Sequence, residues 1–276
     1  MKIVHFSVRK FLKFVSISIS LIGLQSNLAS LAETSHTKNS KAPTKNIAGR
    51  KVSTTILSQD GRDFGHLDVY LNSEAVRLNF IKLDCSILAR GPNFDVFVFN
   101  TRDHTLYQQS YLSWLKSGGP NIVSDYMSSE FGKNAPLTRG VYNGWPADIR
   151  TKLLKNPRPD KVSEMLYQQR EARKKIIEPW NLTMVSGNDI KLNPKILRIL
   201  EETYQFPKTN GPPLATIFTN LRGNRYVTFN TKDRKQQLVD DSIFTVPAGL
   251  KKVATVEMAI TGAGLSAVID ELMTDK

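Results

Sequence analysis

Residues 65–100 read GHLDVYLNSEAVRLNFIKLDCSILARGPNFDVFVFN, and the fold is decided here. Leu67, Val69 and Leu71 alternate with His66, Asp68 and Tyr70, and Val76, Leu78 and Phe80 alternate with Arg77 and Asn79. Successive side chains of an extended strand point to opposite faces, so a two-residue period marks strands with one apolar and one polar side. Asn72-Ser73-Glu74 and Gly91-Pro92-Asn93 separate the runs with turn-forming residues. Residues 95–100 (DVFVFN) are apolar at both parities and read as a strand covered on both faces. The spacers are too short for crossovers, so neighbouring strands pair as antiparallel hairpins.

Outward from this meander, Lys51 to Ser58 is a β-branched run ended by Gln59-Asp60-Gly61, and Thr105 to Leu112 returns the chain. Trp114 to Lys161 is punctuated by Gly118-Gly119-Pro120, Gly140, Gly144-Trp145-Pro146 and Pro157-Arg158-Pro159, and reads as an irregular insertion. Two amphipathic helices are expected, over 162–177 and from the Asn193-Pro194 start to Pro207. Strands resume over 214–220 and 225–231 around Leu221-Arg222-Gly223-Asn224. Shorter strands are expected at 237–239, 242–246 and 253–260, and a closing helix at 263–273. The expected architecture is mainly β with α: an unclosed antiparallel β-barrel, or a strongly curved sheet, covered by helices. Such a sheet has an apolar inside able to hold a ligand.

The chain begins with Lys2, Arg9, Lys10 and Lys13, continues with the uncharged run FVSISISLIGL (14–24), and reaches Ser30-Leu31-Ala32. That order is a secretory signal, with Ala32 the expected last residue removed and a periplasmic or secreted destination. The apolar run is shorter than the roughly 20 residues a membrane span needs. Cleavage leaves 244 residues and lowers the formal charge from +13 to +9. Residues 33–50 are polar and aperiodic and read as a tether, followed by a single domain over 51–276. Cys85 is the only cysteine, so no intramolecular disulfide is available, and its apolar neighbours imply packing. The basic charge suits anionic surroundings such as lipid headgroups or cell-wall polymers, with nucleic acid disfavoured by export.

The order Gly65-x-Leu67-x-Val69, then Val76 to Phe80, then Ser86 to Asn100, with Ile243-Phe244-Thr245-Val246-Pro247-Ala248-Gly249 near the end, resembles the LolA-like family of periplasmic lipoprotein carriers. The resemblance covers about a third of the chain, at its two ends. It implies an unclosed barrel capped by helices around a cavity for acyl chains, with a lipid or acylated protein as partner. The family opens with a helix where this chain has the tether, and residues of about 113–195 form an insertion relative to it.

Candidate cavity residues are Leu67, Val69, Val76, Leu78, Phe80, Phe97, Phe99, Phe218, Tyr226 and Phe229. Arg170, Arg173, Lys174 and Lys175 are the candidate contact to an anionic membrane or cell-wall polymer, the basis of an alternative role in surface interaction. Enzymatic motifs fail. Ser113-x-x-Lys116, Ser124-Asp125-Tyr126 and Lys208-Thr209-Asn210-Gly211 only approximate the set of penicillin-binding enzymes. His66-x-Asp68 and Asp103-His104 supply too few ligands for zinc. A hydrolase would require His, Asp and Ser within hydrogen-bond reach. The expectation is a monomeric, non-enzymatic binding protein without metal or cofactor.

Overall fold

The protein is represented by a computed structural model that describes residues 49–62, 64–117, 135–154 and 179–261. Six antiparallel strands follow one another: β1 (Lys51–Gly61), β2 (Gly65–Leu71), β3 (Ala75–Phe80), β4 (Cys85–Arg90), β5 (Val96–Asn100) and β6 (Thr105–Gln109). The remaining strands are β7 (Leu137–Tyr142), β8 (Trp145–Leu154), β9 (Trp180–Gly187), β10 (Pro213–Asn220), β11 (Arg225–Asp240) and β12 (Lys251–Lys252). The helices among the described residues are short: α1 (Tyr111–Ser117), α2 (Pro194–Tyr204) and α3 (Val256–Thr261). All twelve strands belong to one unclosed, curved sheet in the order β12-β6-β5-β4-β3-β2-β1-β11-β10-β9-β8-β7. Every pairing is antiparallel except β12 with β6.

The curvature has a visible cause in β11. Lys232 is skipped where Ser58 and Gln59 pair with Asp233 and Thr231, and Thr228 is skipped where Thr216 and Ile217 pair with Phe229 and Val227. An extra residue on one strand bends it and increases its twist. Two such bulges lie in this one sixteen-residue strand, within the interior of the sheet.

Pairing fixes which residues share a face. Leu67, Val69 and Leu71 stand opposite Phe80, Leu78 and Val76, and these opposite Cys85, Ile87 and Ala89. This inner face carries the main core, to which α2 adds Ile196, Ile199, Leu200 and Tyr204, and α1 adds Trp114. Helix α2 starts where the Asn193 side chain accepts from the Lys195 N–H at 2.9 Å and stops at Gln205 in the left-handed conformation. On the outer face, Ala75, Leu88, Phe99 and Phe244 form a second core. Residues 241–250 cross it as a strap, held where Arg90 meets the buried Asp241 at 2.9 Å and Arg77 donates to the Ile243 carbonyl at 2.9 Å. β12 then joins the β6 edge, and α3 returns to the inner face through Ala259.

Several local expectations are corrected. The segment 114–161 is not uniformly irregular: it contains the β7–β8 hairpin, and β9 follows in a stretch for which no strand was expected. Asn143 (φ 50°) and Gly144 (φ 84°) both adopt positive φ at its tip, as a tight two-residue turn between twisted strands demands. β1 continues to Gly61 and does not stop at Ser58, because Gln59 pairs on both sides. Strands expected at 225–231 and 237–239 are one strand. The expected strand at 242–246 is a 3-10 turn over Asp241–Phe244, since the Asp240 carboxylate accepts from the Ser242 N–H at 2.9 Å and starts a turn. The strand expected at 253–260 is α3, begun by the Thr255 hydroxyl on the Met258 N–H at 3.3 Å. The signal, most of the tether, and the helices at 162–177 and 263–273 lie outside the described residues.

Candidate functional site

The inner face is the candidate site. Leu67, Val69, Val76, Leu78, Phe80, Phe218 and Phe229 belong to its single buried cluster. Tyr226 stands at the margin, half-buried, edge-on to Phe218 with centroids 6.0 Å apart and with the Arg62 guanidinium 4.7 Å from its ring centroid. Phe97 and Phe99 do not join them. They pair with Leu88 and Ser86 on the outer face, under the strap, while Val96 and Val98 point inward. Both parities of DVFVFN are apolar, so the alternation alone cannot tell which face is inside; the pairing with β4 decides it. Arg170, Arg173, Lys174 and Lys175 lie outside the described residues.

Helix α2 is fastened to this face by a polar lock that pattern reading could not see. The Tyr204 hydroxyl donates to Gln59 Oε1 at 2.7 Å. Gln59 Nε2 donates to the Pro213 carbonyl at 2.9 Å and to Thr231 Oγ1 at 3.0 Å, and Thr231 donates to the Leu214 carbonyl at 2.9 Å. Gln59 and Thr231 are fully buried, and burial pushes the Tyr204 phenol well above its usual range, so it remains a donor. The loop after α2 is held by buried carboxylates. Glu201 accepts from the Thr209 N–H at 2.6 Å, and Asp148 accepts from Asn188 at 3.0 Å and Asn210 at 2.9 Å.

Not all of the interior is satisfied in this way. Trp114 Nε1, Thr216 Oγ1 and Thr228 Oγ1 are buried without a hydrogen-bond partner. Trp114 belongs to the inner cluster, and Thr216 shares the inner face with its cross-strand neighbours Met184 and Phe229. A buried polar atom without a partner costs about 1–3 kcal/mol, and each one in a folded protein calls for an explanation.

Two polar clefts open at the rim where β1 begins and β2 turns into β3. One, of about 210 Å³, is lined by Ser53, Thr55, Asp189, Arg234 and Gln236 among others. The second, of about 320 Å³, is lined by Arg50, Lys51, Glu74, Arg90 and Asp241 among others. None of the ten expected cavity residues lines either cleft. The inner face itself is packed, with Leu67, Leu78, Phe218, Phe229, Ile196 and Leu200 each inaccessible to solvent.

Cys85 faces inward opposite Phe80, and burial pushes its thiol up to about 12, which removes any thiolate at neutral pH. Ser, His and Asp do meet at one place on the outer face. Ser58 Oγ lies 3.2 Å from His66 Nε2, and His66 Nδ1 lies 3.0 Å from Asp60 Oδ1. Ser58, however, donates to Asp68 at 3.1 Å, and Asp68 also stands 3.3 Å from His66 Nε2. The hydrogen bond to Asp60, and the charges of Asp68 and Asp60, raise the His66 pKa against the opposing effect of burial. Two carboxylates beside the imidazole favour its charged form, and the Ser58 hydroxyl donates to Asp68, so these side chains tie β1 to β2 across their pairing. Asp103 and His104 sit in the β5–β6 turn, where Asp103 approaches Arg102 at 3.6 Å. No three metal-binding side chains converge among the described residues, and none of their helices is long and apolar enough to cross a membrane.

No family model matches the chain, and no curated protein matches its sequence. Among solved structures it is similar to an uncharacterized conserved protein from Thermus thermophilus, at 9% identity and a TM-score of 0.35, covering 72% of this chain and 89% of that one. It is also similar to a domain provisionally named an outer membrane lipoprotein-sorting protein, from Vibrio parahaemolyticus. That match has 9% identity and a TM-score of 0.25, and covers 67% of this chain and 85% of that one.

Proposed function

We propose that this chain is an exported, non-enzymatic carrier that takes an acyl chain between the inner face of its sheet and helix α2. The observation behind this reading is the chemistry of that interface. Among the described residues a continuous apolar face is covered mainly by α2, with Trp114 of α1 and Ala259 of α3 beside it, yet Trp114 Nε1 and Thr216 Oγ1 are left in it as buried polar atoms without partners. An amphiphile satisfies both needs, with hydrocarbon against Leu67, Val69, Leu78 and Phe80 and an acceptor oxygen for the indole N–H. Because the face is packed, entry requires α2 and the Trp114 helix to give way. An acyl chain of about fifteen methylenes gains roughly 12 kcal/mol gross on leaving water, at about 0.8 kcal/mol per methylene. Opening the Tyr204–Gln59 contact costs about 1–3 kcal/mol, and immobilising the ligand removes several more.

The test is a palmitate titration of the chain labelled with ¹⁵N at its indoles. The Trp114 indole resonance is expected to shift as the N–H gains an acceptor, while those of Trp145 and Trp180 stay in place. A Trp114 signal that does not move at saturating palmitate removes the proposal.

A further inference from the structure

The corner of the sheet built from the end of β8, the start of β9 and the β10–β11 hairpin has an unusual composition. None of residues 151–154, 180–183 and 217–228 is Asp or Glu, whereas Lys152, Arg222 and Arg225 are cationic. The same corner exposes large aliphatic side chains: Leu221 is 69% accessible, Leu153 53% and Val227 37%. The register brings them together. Leu153 stands level with Asn181, Thr219 and Arg225, and Thr151 with Thr183, Ile217 and Val227, so Leu153 on β8 and Arg225 and Val227 on β11 lie on the outer face at one end of the sheet, across β9 and β10 from each other. Leu221 and Arg222 project beyond them at the hairpin tip, between Asn220 and the positive-φ Gly223. Trp180 and Tyr226, half-buried against the inner core, lie at the same strand ends on the opposite face.

We infer that this corner docks on a bilayer carrying anionic headgroups. Aliphatic side chains gain by entering hydrocarbon, the cations beside them gain at a negative surface, and Trp and Tyr favour the boundary between the two. A soluble polyanion offers the charge but no apolar phase for Leu221, Leu153 and Val227, so the aliphatic half of the corner favours a membrane. The inference stands apart from acyl carriage, because the residues its test changes, Leu153, Leu221 and Arg225, are not among those of the inner-face cluster.

Residues from Asn46 onward form a compact unit, so the chain beginning at Glu33 is the protein to test, free of the apolar leader. Flotation with equimolar phosphatidylcholine–phosphatidylglycerol vesicles is expected to carry it upward, and pure phosphatidylcholine vesicles to carry it weakly. Arg225→Glu is expected to lower the affinity at least about fivefold, as a cation near an anionic surface is worth about 1 kcal/mol. Leu221→Gln and Leu153→Gln are expected to lower it several-fold, whereas Leu238→Gln, at an equally exposed leucine elsewhere on β11, leaves it unchanged. Circular dichroism establishes that each variant is folded. Absence of binding to the anionic vesicles overturns the inference. So does a Leu221→Gln, Leu153→Gln pair that binds like the parent while Arg225→Glu does not, since that marks a polyanion surface. The Trp114 titration is unaffected by these variants, so either proposal can fail alone.

Discussion

Changing Tyr204 to Phe removes one oxygen from the interior and leaves the ring, with its contact to Phe229 at 5.1 Å between centroids, in place. What is lost is the 2.7 Å hydrogen bond to Gln59 Oε1. Gln59 is inaccessible to solvent, and its amide nitrogen is already engaged by Pro213 and Thr231, so the side chain cannot turn to find another donor without breaking those bonds. The cost is therefore that of a stranded buried acceptor, about 1–3 kcal/mol. At about 2–4 °C per kcal/mol for a domain of this size, the melting temperature should fall by about 2–12 °C. Thermal denaturation followed by circular dichroism, with urea unfolding as a check, measures it. Adding Gln59→Leu should cost less in the Tyr204→Phe background than in the parent, because the two groups share one bond. A Tyr204→Phe chain melting within about 1 °C of the parent would refute the lock, since even the low end of the range predicts more.

Other consequences can be measured directly. Gly211→Ala is expected to destabilise by about 3 kcal/mol or more, because its Cβ would overlap the Gly187 backbone carbonyl, which cannot move out of the way as a side-chain end could; chemical denaturation reads this. Cys85, with its thiol pushed up to about 12, should be inert to a thiol reagent at pH 8 in the native chain and react at once on unfolding. His66 should titrate above 6.5 by NMR, and Asp60→Asn should bring the midpoint down. The sign follows from linkage. A histidine raised in the folded state contributes its stabilisation fully below 6.5 and loses it as pH rises through the folded value, so Asp60→Asn should matter most on the acid side.

The meander from β2 to β5 was legible because Leu67, Val69 and Leu71 and their partners keep a strict two-residue period, with turn residues where the chain reverses. The β7–β8 hairpin carried an equally plain signal in Asn143-Gly144, but Gly140 and Pro146 on either side gave its strands the punctuation of a loop. β11 was split because Lys232 to Gln236 is polar throughout, the composition of a strand whose two faces both reach water there. The candidate site was half legible. Residues on β2 and β3 fell on the inner face as their alternation required, whereas Phe97 and Phe99 depended on register, a long-range property. The Gln59–Tyr204 bond joins residues 145 apart in the chain, and no local pattern announces it. Nor can sequence show that the Trp114 indole is buried without a partner, since that is a property of everything packed around it.

The central claim is that the inner face carries an acyl chain, and native mass spectrometry of the chain recovered from an exporting cell, paired with organic extraction of the same sample, tests it most directly. Acyl carriage predicts a population heavier than the bare chain by the mass of one amphiphile, with a long-chain acyl group in the extract. Bare chain alone in every preparation, with an extract free of acyl groups, would contradict it.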